Sequence, residues 1–265
     1  NRTSPFAFTG NKFEFRMLGS QDSVACATMM LNIALADALS AFANELENAP
    51  DFNAALQSLI KKTYRKHKRI VFNGNGYDEN WLREACEVRG LLNLRSTPDC
   101  LPYYCRPENI ELFAIHKVLS ESEIRSRCEI ILENYCKIIN IEAKTMSDMV
   151  TRAILPAVSR YVGKLCDIAE AKSEYIPIEC LSFEKETIEK LSALTTEIYK
   201  RNIELIDVLS KTRNLPEAEI RAAAFKKSVI PLMDGLRIVV DEAEILTASD
   251  YWPYPGYAEL MFGVI

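Results

Sequence analysis

The stretch SFEKETIEKLSALTTEIYKRNIELIDVL, Ser182–Leu209, decides the fold class. Ile188, Leu191, Leu194, Ile198, Leu205 and Leu209 recur in it at the spacing that lines apolar side chains along one helix face. Asn214 and Pro216 open a second run with Ile220, Ala224, Ile230, Leu236, Val239 and Leu246. Proline is tolerated in a first helical turn, where its missing N–H has no intrahelical acceptor to lose. So short a link predicts that the two runs pair as an antiparallel hairpin, with Pro231 bending the second. Upstream, Ser120-Glu121-Ser122-Glu123 has capping-box spacing and opens a run through Ile124, Cys128, Ile131, Tyr135 and Ile138. That run continues through Met146 and Met149 to Leu155, and a kink or break is expected at Pro156. The expected fold is mainly α: a helical bundle or long helical hairpins, preceded by a short strand.

The first half supports more helices. Asp22 or Ser23 can cap a helix in which Leu31, Leu35, Leu39, Phe42 and Leu46 recur. Val24 to Ala36 is apolar nearly all round, which predicts burial on several sides. A membrane span is the rival reading. Asn32, Asp37 and Ser40 interrupt the run and Glu45 and Glu47 close it, so the span is rejected. Ala49-Pro50 ends this helix, and Asp51 can cap the next, with Leu56, Leu59 and Ile60. The basic run KKTYRKHKR, Lys61–Arg69, fits a solvated helix end, where cations favour the C-terminal dipole. Asn73-Gly74-Asn75-Gly76 reads as a turn with positive φ; no Gly-Lys-Ser/Thr follows to make it a phosphate cradle. Asp78 caps a short helix with Trp81, Leu82 and Ala85, and Gly90 can stop it. Pro98, Pro102 and Pro107 predict an irregular, docked connection from Leu91 to Pro107.

With 265 residues and 48% hydrophobic content the chain can bury a substantial core. A net charge of −5 argues against a nucleic-acid footprint. The eight cysteines are scattered without a C-x-x-C pair, and read as reduced, mostly buried thiols of a cytoplasmic protein. His67 and His116 have no His or Cys at ligand spacing, so a zinc site is not expected. The chain begins at Asn1 in mid-motif, which reads as a fragment of a longer protein.

Polar residues line up as chemistry in one place, NRTSPFAFTGNKFEFRMLGS, Asn1–Ser20. Phe13, Phe15 and Met17 alternate with Lys12, Glu14 and Arg16, and a strand sends the two sets to opposite faces. With Arg2 alongside, such a face offers a hard carboxylate ligand for Mg or Mn and guanidinium groups that match phosphate oxygens. A charged strand face is nonetheless more often solvated than catalytic.

Asn1-Arg2-Thr3-Ser4-Pro5-Phe6 followed by Lys12-Phe13-Glu14-Phe15-Arg16 resembles the end of the glutamine synthetase catalytic domain, and closely that of the large type III class. Lys68–Tyr77, Leu132–Met149, Ile154–Tyr161 and Tyr251–Phe262 resemble that class's long C-terminal region, so the likeness covers nearly the whole chain. It implies an ATP-dependent ligation of ammonia to glutamate with two divalent ions, Mg or Mn, and ring-shaped homo-oligomers, without nucleic acid or membrane. By the same likeness Glu14 is a metal ligand and Arg16 the catalytic arginine facing the transferring phosphoryl group and glutamate. Arg2 contacts nucleotide phosphate, and Lys12 lies near the nucleotide. Shorter classes carry a second arginine after Asn-Arg-Ser; Phe6-Ala7-Phe8 stands there instead, so that role passes elsewhere. The expected division is residues 1–50, the end of an α+β catalytic domain with a strand and a buried helix, and residues 51–265, a helical region with an aromatic and proline tail. The remaining metal ligands would lie upstream, so this chain alone is expected to be inactive. A non-catalytic helical module for packing or oligomerisation is the alternative.

Overall fold

The computed structural model describes residues 6–8, 10–15, 23–72 and 74–263, and it is mainly helical. Packing divides the chain into two compact units, Asn1–Ser126 and Arg127–Ile265.

In the first unit Phe6–Phe8 (β1) and Phe13–Phe15 (β2) pair antiparallel, with Ala7 opposite Glu14. Gly10, at φ +99°, reverses the chain between them, a conformation few other residues adopt. Val24–Leu46 (α1) begins at Ser23, whose hydroxyl accepts from the Ala25 N–H at 3.3 Å. Phe52–His67 (α2) begins at Asp51, whose carboxylate accepts from the Ala54 N–H at 3.0 Å. The Lys62–Glu45 ion pair, 3.2 Å, ties α2 to α1.

The predicted burial of α1 on several sides does not hold within this unit: Ile33 is its one buried residue, and Val24 and Leu39 are more than half exposed. Ile33 packs with Phe113, Leu119 and Ile124, and α2 lies against the end of the helix that carries Glu45, yet most of α1 stays exposed or half-exposed. By length and composition α1 alone among the described residues could cross a membrane. Its Asp37, however, meets His116 Nε2 at 3.1 Å, inside the unit's own packing.

The irregular connection expected from Leu91 to Pro107 is instead largely helical. Thr97–Tyr104 (α4) has Pro98 in its first turn, and Pro107–Ile115 (α5) starts on its proline, where no intrahelical acceptor is lost. Only Pro102 lies inside a helix. Ahead of them, Asp78 caps Glu79–Arg83 (α3), which runs into a π turn, Glu84–Val88, ended near Gly90 at φ +64°. Trp81 stacks on Phe72 with centroids 3.7 Å apart, and Arg89 lies 4.9 Å over the Trp81 ring. The same guanidinium donates to Glu84 at 2.6 Å and to the Val71 carbonyl at 2.7 Å, so one side chain fastens both ends of this loop.

Glu121–Met149 (α6) starts as its capping box predicts: Ser120 N–H donates to Glu123 at 2.7 Å and the Ser120 hydroxyl accepts from the Glu123 N–H at 3.4 Å. In the second unit α6 leads through a π turn, Val150–Ile154, into Leu155–Ser173 (α7). Ser182–Arg213 (α8) follows, then Ala218–Ala224 (α9), a π turn at Phe225–Val229, Ile230–Leu246 (α10) and Tyr257–Phe262 (α11). Both α7 and α10 pack on α8. Lys172 pairs with Glu184 near one end of α8, and Thr151 meets Asn202 toward the other, so α8 runs back along the helix before it. Leu191, Ile198, Leu205, Phe225, Val229 and Leu236 fill the seam, each 0–1% exposed.

Where a kink was expected at Pro156 and a bend at Pro231, the structure has a π turn ending two residues before each proline. Leu155 N–H donates to the Val150 carbonyl and Ile230 N–H to that of Phe225, five residues back in both cases. The wider turn takes up the carbonyls that a proline N–H cannot serve, and the helix resumes with proline in its first turn. Within α7, Gly163 is exposed and a methyl group there would meet nothing within 4 Å. Gly163→Ala should therefore raise the unfolding free energy by about 1 kcal/mol, read as a higher midpoint in thermal melts.

Candidate functional site

Of the four residues assigned roles from sequence, Lys12 and Glu14 lie in the β1–β2 hairpin, two positions apart, both exposed. Arg2 and Arg16 lie outside the described residues. The hairpin thus presents one carboxylate and one ammonium on the same side of a sharp reversal. Among the described residues no group of three His, Cys, Asp or Glu side chains could hold a metal ion. A divalent ion at Glu14 would need further oxygen ligands from outside them.

The basic run is a solvated helix end: Arg65, Lys66 and His67 form the last turn of α2, and Lys61–Arg69 is exposed but for Thr63. The Asn-Gly segment is a turn, with Gly74 at φ +155° and the Asn75 side chain accepting from Tyr77 N–H at 3.1 Å. A Cβ on Gly74 would come within 2.9 Å of the Phe72 ring. The expectation of mostly buried thiols needs correction: Cys128 and Cys136 are buried, Cys86 and Cys105 half-buried, and Cys26, Cys100, Cys166 and Cys180 exposed. Cys26 lies on the mostly exposed α1 and Cys180 in the short 3-10 turn before α8, where little covers a small side chain. The start of the tail packs on its own unit, Tyr251 lying 5.2 Å from Tyr161, whereas Leu260, Met261 and Phe262 stay exposed.

Sequence reasoning missed two polar residues on α8. Asn202, 3% exposed, donates to the Thr151 hydroxyl at 3.1 Å and so bridges the core to the Val150–Ile154 π turn. Glu184, 4% exposed, accepts from Lys172 Nζ at 2.5 Å. Both occupy helix positions whose spacing matches the apolar stripe, the one signal that could have marked them. The Lys172 hydrogen bond, then a backbone hydrogen bond, holds the Glu184 carboxyl below its usual pKa. A depressed carboxyl pKa stabilises the fold above the unfolded value, near 4.5, and the contribution is lost as pH falls through the lower folded value. Glu184→Gln should accordingly flatten the fall of the melting midpoint below pH 4.5 relative to wild type, and leave the slope above pH 6 unchanged.

Residues 55–173 match the family described as the glutamine synthetase C-terminal domain. Across 272 residues the chain is 36% identical to a glutamine synthetase of Butyrivibrio fibrisolvens, covering 100% of this chain and 38% of that protein. It is 35% identical to a type-3 glutamine synthetase of Dictyostelium discoideum, with 99% and 36% covered. It is 31% identical to a glutamine synthetase of Bacteroides fragilis (strain YCH46), with 99% and 37% covered. The fold and these matches define a mainly helical C-terminal domain of the glutamine synthetase type. The chain belongs to the glutamine synthetase family, and its relatives there include a type-3 member. It spans between 36% and 38% of their length and corresponds to their C-terminal portions.

Proposed function

We propose that the chain is the part of a type III glutamine synthetase that carries the last phosphate- and metal-binding strand and the helical region after it. An alignment at 35% identity with a type-3 relative, covering 99% of the chain and so the hairpin, is the observation that carries this reading. In the reaction the side-chain carboxylate of glutamate attacks the γ-phosphorus of ATP and releases ADP. Ammonia then adds to the acyl carbon, its nitrogen gives up one proton, and phosphate leaves as the amide forms with two N–H bonds kept. Arg16 faces the transferring phosphoryl group and the glutamate carboxylate, spreading the charge that builds on equatorial oxygens. Arg2 holds nucleotide phosphate, and Lys12 supports it. Glu14, an exposed hard-oxygen donor, suits Mg or Mn, which neutralise charge between ATP and glutamate when bound. The protein is cytoplasmic and assembles into rings of like subunits. A second reading, helical packing within such an assembly, is favoured by the uncovered faces of α1 and the exposed end of α11, and is compatible with the first.

The test is an assay of a protein of the relatives' length that contains this chain. Release of ADP that depends on glutamate, ammonia and a divalent cation is expected. Its absence, in a folded protein, would sink the reading. The 265-residue chain alone is expected to form no glutamine, since most of the ligands for two metal ions would come from other residues.

A further inference from the structure

We propose that the groove between α6 and α10 is a docking site for a basic amphipathic helix of a partner protein. The groove holds about 640 Å³ and lies wholly in the second unit. Its floor is apolar: Val150, Leu236 and Val240 are buried, and Met146, Met149 and Met233 lie beside them. Three thioethers on one surface can repack around varied side chains, as surfaces that seize amphipathic helices do. One wall runs along α6 from Ile141 to Ile154, about 20 Å at 1.5 Å per residue, room for three to four turns of a guest helix. Trp252 and Tyr254 from the tail form part of the opposite side.

Charge chooses the guest. The rim carries Glu142, Asp241 and Glu244 against one cation, Arg237, and that cation is already paired with Asp241. Glu142 and Glu244 make no ion pair among the described residues. The acidic excess of the chain resides in Arg127–Ile265, while Asn1–Ser126 is balanced, so the long-range field also draws cations to this unit. Ile141 stands 61% exposed at the lip, apolar area that a guest would cover. An apolar stripe flanked by Lys or Arg satisfies floor and rim together, and an acidic helix would meet like charges.

The 265-residue chain is titrated with a 14-residue helical peptide of Leu and Lys, and separately with its Leu and Glu counterpart, following Trp252 emission; a Trp252→Phe variant identifies that signal. The Leu/Lys peptide should bind saturably with a blue shift, and the Leu/Glu peptide at least tenfold more weakly. Glu142→Lys with Glu244→Lys should exchange the two preferences, and Met149→Asp should weaken both. Glu142→Lys alone, at an exposed position, serves if the double variant fails to fold. Equal affinity for both peptides, absence of saturable binding, or unchanged Leu/Lys binding by the reversed variant would overturn the proposal. So would self-association, seen by sedimentation, that blocks the peptide and is lost in the reversed variant, since a second copy would then hold the groove.

Discussion

Arg16→Ala, in a synthetase of the relatives' full length, is expected to lower kcat by about 10²–10³-fold while the sedimentation coefficient stays that of wild type. The proposed role explains the split. A guanidinium that meets charge developing on the phosphoryl group stabilises the transition state more than bound glutamate, so kcat falls further than KM rises. Arg16→Lys should recover only part of the loss, because an ammonium cannot make the paired planar contacts. Deleting residues 251–265 should do the reverse. It removes Tyr251 from its packing on Tyr161 and strips Trp252 from the second unit, so stability or assembly should fail before turnover per intact enzyme does. If Arg16→Ala dissolved the oligomer and the deletion spared it, the assignment of catalysis to the first stretch and packing to the last would be wrong.

Phe225→Ala should destabilise the second unit by about 3–5 kcal/mol, a large part of what holds a domain folded. The ring is 1% exposed and sits at the start of the Phe225–Val229 π turn, which packs on α8. Few neighbours can close the void, since the surrounding helices are fixed along their length by Ile198, Leu205 and Leu236. Urea denaturation reads the effect as a lowered midpoint with an unchanged slope. Phe183, 64% exposed near the start of α8, is the control: its replacement by Ala should shift the midpoint by no more than about 0.5 kcal/mol. Equal effects at the two positions would mean that the core has been misplaced.

Helix periodicity carried the seam of α8, whereas Ile138 and Ile220, read from the same kind of spacing, are half exposed. Leu191, Ile198, Leu205 and Leu209, picked from spacing, are all buried. Ser23, Asp51 and Asp78 cap the helices they were expected to cap, because capping depends on a few neighbouring atoms. The segment with Pro98 and Pro107 misled because proline marks a helix start as readily as an interruption, and only the flanking backbone distinguishes the two. Burial of α1 was overestimated because an apolar helix announces a need for cover without saying which residues supply it. The candidate site was legible only as a pattern of residue types. Lys12 and Glu14 fall where an exposed hairpin leaves them accessible, and the partners that would make them a site lie beyond any local signal. Glu184 and Asn202 were missed because a polar residue on an apolar stripe looks like an interruption until its partner, half a helix away in space, is seen.

Each π turn before a proline is, in length, one extra residue within a helix. A single-residue deletion in Phe225–Val229 would close that wide turn to a plain α turn and set the Pro231 ring against a carbonyl that the wider turn now takes up. Related sequences should therefore align across Val150–Pro156 and Phe225–Pro231 without gaps, even where loops such as residues 174–177 change length freely. Insertions and deletions, more than substitutions, are what this pair of helices should have been unable to tolerate in its descent.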